Sequence, residues 1–216
     1  MTFRSPILRR LVQAPERLLA KTLSYHPAMR FLHDTQDTQT PIRFRDWFRQ
    51  EVQGINRGPY WPVHPASMVT GWRNIVIGVE TSPGMMPGCY IQGIGKITIG
   101  DYTQIGPNVT MISANHAPHD LREHIPSHVN IGAYCWLGAG SVILPGVTLG
   151  DFTIVGAGAI VTSSVPDGYS VLAGNPARVL KRLDPAECPR HQSYHEYCGF
   201  IPMRDFPAFR SAELTH

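Results

Sequence analysis

The sequence carries little charge and few cysteines, and it has no long apolar run. Charged residues make up 16% of the 216, the formal balance is +3, and no block of five or more Lys/Arg occurs. That excludes the electrostatic footprint of a nucleic-acid binder. Low charge set against 43% apolar residues also excludes a disordered chain and indicates a globular core. The four cysteines, Cys89, Cys135, Cys188 and Cys198, have neither CxxC spacing nor the density of a disulfide scaffold. No stretch of 18 apolar residues exists and the N-terminus has no continuous apolar segment, so neither a membrane span nor a signal peptide is expected. The expected setting is soluble, reducing and cytoplasmic.

Glycine (20) and proline (19), by contrast, are plentiful, and they sit among short aliphatic runs, which suits a chain with many tight turns. Three stretches follow one another: a helical N-terminal extension over 1–62, a regular domain over 63–173, and a C-terminal turn, helix and tail over 174–216. In the first, Ile7, Leu8, Leu11, Val12, Leu18 and Leu19 fall near helical spacing among Arg9, Arg10, Arg17 and Lys21. Packing on the main domain or a neighbouring subunit is the plain reading of this helix. A basic amphipathic helix lying on the inner face of the membrane is the second. A further helical piece, IRFRDWFRQEV, places Phe44, Trp47 and Phe48 on one side.

The middle stretch repeats every six residues. From Ile131 the chain reads IGAYCW, LGAGSV, ILPGVT, LGDFTI, VGAGAI, VTSSVP, with Ile131, Leu137, Ile143, Leu149, Val155 and Val161 at the first position. Four residues later stand the slim Cys135, Ser141, Val147, Thr153, Ala159 and Val165. The run IGDYTQ, IGPNVT, MISANH has the same form. This period fits short parallel strands wound round a triangular prism, three hexads to a coil, with the large aliphatic side chain at the centre. The repeat loses register after Met111 and recovers it at Ile131, so a loop at about 114–128, ISANHAPHD and its sequel, must be extruded. Trp136 and Phe152 should point outward. The segment AGNPARVLKRL reads as a turn and a short basic helix.

These hexads, with ISANH, WLGAGSVILPGVTLGD, IVGAGAIVT and AGNPARVLK, resemble the hexapeptide-repeat acyltransferases over roughly half the chain. Within that family the layout is similar to sugar and polysaccharide O-acetyltransferases and to xenobiotic acetyltransferases. The resemblance implies a left-handed parallel β-helix, mainly β, and a homotrimer with acetyl-CoA as co-substrate in a groove between prisms. It implies an O-acetyltransferase that acts on a sugar hydroxyl, in capsular or exopolysaccharide or O-antigen synthesis. A chloramphenicol- or streptogramin-type acetyltransferase and a non-catalytic β-helix scaffold are the alternatives.

His116 matches the family's catalytic histidine; an imidazole neutral near pH 7 can take the proton of an acceptor hydroxyl, so no enzyme nucleophile is needed. Trp136, Ala139, Ala157, Thr162, Arg178 and Lys181 match coenzyme-lining positions. At Ala139 the galactoside enzymes carry a serine that helps hold the oxyanion, so here that contact falls to backbone N–H. Tyr90, Gln92, Asn108, Asn115, His119 and Asp120 are candidates for acceptor binding, and His119 or Asp120 for orienting His116. The four loop histidines, with His124 and His128, match no zinc spacing, and no metal is expected.

Overall fold

The computed structural model of the protein describes Leu18 and residues 21–215. Apart from Leu18, the Ile7–Leu19 portion of the expected first helix lies outside the described residues. The rest of the middle stretch folds as the hexads require. Its strands form three parallel faces of a prism, a left-handed β-helix. The first face holds Met68–Thr70, Tyr90–Gln92, Thr110–Ile112, Val142–Ile143 and Ile160–Val161. The second holds Ile75–Ile77, Lys96–Ile99, His128–Ile131 and Thr148–Leu149. The third holds Gln104–Ile105, Trp136–Leu137, Thr153–Val155 and Ser170–Gly174.

Register is set by the inward aliphatics. Leu137 pairs Ile105 and Val155, Ile143 pairs Met111 and Val161, and Ile131 pairs Ile99 and Leu149. Leu137 and Ile143 are wholly buried, as are the slim Ser141 and Thr153 near the corners. A slip of one residue would turn each strand's aliphatic outward, so packing leaves the register no freedom. The glycine that follows Ile131, Leu137, Leu149 and Val155 has a similar cause. A Cβ on Gly138 would stand 2.6 Å from the Val155 carbonyl of the next coil.

The corner between the second and third faces differs from the sequence reading. Phe152 does not point into solvent; it is 8% exposed. Its ring stacks between Tyr134 and Tyr169, at 4.8 and 5.1 Å, and Tyr134 stacks on Tyr102 at 5.2 Å. These four residues all have positive φ, near 44 to 57°. The C-terminal tail covers the ladder: Arg190 lies over the Tyr134 and Phe152 rings and is tied to Asp151.

The segment Ala177–Arg182, expected as a helix, is a strand. It turns back at Asn175–Pro176 and pairs antiparallel with Ser170–Gly174 at the edge of the third face. The open edge of that face supplies backbone partners, which outweigh the run's local helical preference. The C-terminal helix comes later, at Phe206–Glu213. Phe206 and Phe209 pack on Tyr60, and this layer, with buried Trp61, seals the first coil.

N-terminal helical pieces occur at Phe31–Asp34 and Phe44–Trp47, the latter continued by a π-turn over Phe48–Val52. Phe44 lies against Trp47 and Phe48, as their spacing predicts. Phe31, Leu32 and Ile42 form a second, smaller core with Tyr197 of the tail. Among the described residues no helix is long and apolar enough to cross a membrane.

Candidate active site

Ile99 and Ile131 are neighbours in the second face yet 32 residues apart, whereas Ile131 and its next neighbour Leu149 are 18 apart. The fourteen additional residues leave the prism at the corner between the first and second faces. They form an antiparallel hairpin, Ala114–Ala117 with Asp120–Pro126, joined by Pro118 and His119. Its root is clamped. The Ser127 amide donates to the Ser113 carbonyl at 2.7 Å. The buried Ser113 hydroxyl accepts from the Gly95 amide and donates to the Gln92 carbonyl.

Along the hairpin His116 faces His124, but the pairing then slips, so that Ala117 faces Asp120. Leu121, Arg122 and Glu123 bulge, and the Leu121 carbonyl meets the His116 ring, 2.7 Å from Nδ1. A carbonyl only accepts, so Nδ1 must carry the hydrogen and Nε2 holds the free lone pair. The two imidazoles touch, with ring centroids 4.4 Å apart and planes tilted 44°.

Asp120 does not orient His116. Its carboxylate is gripped by Arg122, with Nη2 to Oδ2 at 2.6 Å and Nε to Oδ1 at 2.9 Å. That guanidinium holds the Asp120 carboxyl below its ordinary range. His119 is exposed at the turn, and Asn115 pairs Ile125 through the backbone. Among the described residues, no three His, Cys, Asp or Glu side chains are grouped to hold a metal.

The other candidates divide by face. Tyr90 and Gln92 lie in the first face, beside Thr110 and Ile112, the strand from which the hairpin springs. The Gln92 Oε1 is buried without a hydrogen-bond partner among the described residues. Asn108 is exposed at the corner that leads into this face, and Thr162 is exposed at its far edge. Trp136 is 57% exposed on the third face. Ala139 and Ala157 are exposed one coil apart at the corner between the third and first faces. Among the described residues no group accepts from the Ala139 or Ala157 amide. Arg178 and Lys181 stand exposed on the return strand rather than on a helix.

In a triangular section the hairpin corner lies opposite the third face. One chain therefore gathers the hairpin with Tyr90 and Gln92 but holds Trp136, Arg178 and Lys181 on the far side. Cys135 and Cys198 offer no nucleophile: burial pushes the Cys135 thiol up to about 11 and the Cys198 thiol up to about 12. The sequence marks His124 only as one of four loop histidines and gives no sign of the Leu121 carbonyl; the bulge that unites them leaves no pattern in composition or spacing.

Comparison with known proteins places this geometry. The family model "Bacterial transferase hexapeptide (six repeats)" matches residues 128–163. Nodulation protein L of Rhizobium meliloti (strain 1021) is 45% identical over 111 residues, 49% of this chain and 58% of that one. The chain spans about half the length of several other curated relatives that it matches. A Dictyostelium discoideum protein, itself described only provisionally as an acetyltransferase, is 44% identical over 161 residues, 72% of this chain and 82% of that one. A solved galactoside acetyltransferase in complex with coenzyme A is 28% identical with a TM-score of 0.57, covering 91% of this chain and 92% of that one. The chain belongs to the hexapeptide-repeat transferase family.

Proposed function

We propose that the protein transfers the acetyl group of acetyl-CoA to a sugar hydroxyl, with His116 as general base. The observation that carries the reading is the Leu121 carbonyl on Nδ1, which leaves Nε2 ready to accept a proton. Nε2 takes the hydroxyl proton as the oxygen attacks the thioester carbonyl. The tetrahedral intermediate then collapses, the C–S bond breaks, and the imidazolium returns its proton to the departing thiolate. A sugar acetate and free CoA result. In this reading the Ala139 amide, which has no protein acceptor among the described residues, meets the oxyanion in the absence of a serine hydroxyl.

The active unit in this reading is a homotrimer. A second copy would bring Trp136, Ala139, Ala157, Thr162, Arg178 and Lys181 opposite the hairpin, which a single prism cannot do. Exposed Leu121 (72%) and Ile125 (51%) on the hairpin support a covering neighbour. Tyr90, Gln92, Asn108, Asn115 and His119 belong to the acceptor side, and Arg178 and Lys181 to the CoA phosphates. The acceptor in view is a unit of a surface polysaccharide or its activated precursor.

The test is thiol release from acetyl-CoA with a panel of galactosides, maltose, polysaccharide fragments and chloramphenicol-type alcohols. Ester formation on a sugar, lost in His116→Ala, supports the proposal; turnover on the drug-like alcohols alone replaces it with the xenobiotic reading. No turnover and no CoA binding would leave a scaffold. Light scattering tests the assembly: three times 24.0 kDa is expected, and an active monomer at micromolar concentration overturns it.

A further inference from the structure

We infer that His124 is a positioning residue for His116, an inference that rests on the acetyl-transfer reading above. One hydrogen bond fixes which nitrogen of His116 carries the hydrogen, but it leaves the ring free to swing about the N–H···O line. His116 is exposed, and among the described residues no carboxylate binds it; Asp120 is held by Arg122. What stands beside it is the His124 ring, with centroids 4.4 Å apart and planes tilted 44°, delivered by direct cross-strand pairing. Opposed residues of an antiparallel pair project on the same side, so the hairpin presents both imidazoles together. The bulge puts the Leu121 carbonyl at Nδ1 of His116 while the His124 ring packs beside it. The ring is then held by two contacts rather than one, and Nε2 keeps one direction.

This role predicts a loss in turnover without a loss in binding. His124→Thr keeps a β-branched residue suited to the strand but removes the ring. It should lower kcat about 10- to 100-fold, the scale of a small misplacement of a reacting group, with KM for acetyl-CoA and acceptor within about twofold of wild type. His124→Phe restores a ring and should recover turnover to within about threefold of wild type. The readout independent of activity is long-range ¹H–¹⁵N NMR of the His116 ring, recorded on the full chain. Wild type and His124→Phe should show one sharp Nδ1–H tautomer, and His124→Thr a broadened or mixed pattern.

His124→Thr with wild-type kcat and an unchanged His116 signature would overturn the inference. So would a phenylalanine variant no better than threonine, because the ring would then be irrelevant. If His116→Ala itself is as active as wild type, the acetyl-transfer reading fails first, and the NMR comparison still decides whether His124 orders the His116 ring.

Discussion

The coils from Ile131 to Val161 and the hairpin from Ala114 to Pro126 are neighbours built on opposite terms. In the coils Leu137, Ile143 and Val155 are each fixed by strands above and below, and they are exposed to at most 1%. In the hairpin the strands pair only with each other, and six of the seven residues from Asp120 to Pro126 are exposed. The coils spend their sequence on packing and leave a smooth prism. The hairpin contributes little to the core and so is free to hold unpaired side chains. In the proposed reading the chemistry sits where the repeat is interrupted, on a root clamped through Ser113 and Ser127.

That contrast can be broken from either side. The largest effect is expected at His116. His116→Ala should lower turnover by about 10²- to 10⁴-fold with the unfolding midpoint within a degree or two of wild type, because the lost ring is exposed and meets the hairpin's own Leu121 carbonyl and His124 rather than the core. Steady-state kinetics and a thermal scan on the same sample check both halves. Leu137→Ala should do the reverse in kind. It opens a cavity at the prism centre and should cost about 2–5 kcal/mol of stability, measured by denaturant titration. Turnover per folded molecule should stay near normal well below the midpoint. A core variant that loses turnover while fully folded would show that the prism does more than support the site.

The same contrast governs what the sequence could reveal. The inward rows were legible because packing repeats them every six residues, and the hairpin's existence was legible as a loss of register between Met111 and Ile131. Its interior was not. The slip that turns the Leu121 carbonyl onto His116 depends on which residues bulge, and bulges carry no periodic mark. The aromatic ladder had a signal that went unused: Tyr134 and Phe152 are one coil apart, 18 residues, at equivalent corner positions. Two aromatics stacked one above the other bury each other's faces, so an outward direction at each corner does not mean exposure. The misread strand Ala177–Arg182 is a third case. Local composition favoured a helix, and only the open edge of the third face, invisible in the segment itself, decided otherwise.

A smaller effect separates both regions from the layer that ties the termini together. Asp34, with a side chain 7% exposed, accepts from the Tyr197 hydroxyl at 2.9 Å and so links the N-terminal pieces to the tail. Burial pushes its carboxyl upward, but hydrogen bonds from His33 and Tyr197, with the charges of His195 and Arg30, outweigh it, and the net shift is downward. A carboxyl lowered in the folded state adds stability that is present above its unfolded pKa and lost as pH falls through the folded one. The docking of 31–47 should therefore hold at pH 6 and loosen below about pH 4, while the prism stays intact. Hydrogen exchange read by segment checks this. Asp34→Ala should weaken the docking already at pH 7, by about 2 kcal/mol, and remove its acid dependence.

The smallest effects are expected at Ala139, on the coils but facing out of them. It is exposed, so substitution there should leave stability within about 0.5 kcal/mol. Its amide finds no acceptor among the described residues, which is what a group awaiting an oxyanion needs. Ala139→Val adds two methyl groups beside that amide and should slow turnover about tenfold, by keeping the thioester carbonyl from close approach. Ala139→Ser adds a hydroxyl where the galactoside enzymes have one, beside a backbone donor already in place. A second donor shares a charge that the first already stabilises, so the expected change is an increase of no more than about twofold. Kinetics of the two variants beside their melting curves give the answer. A valine variant as active as wild type would mean that the acetyl group does not meet the prism at this corner. A serine variant that gains tenfold or more would mean that the Ala139 amide alone holds the oxyanion poorly.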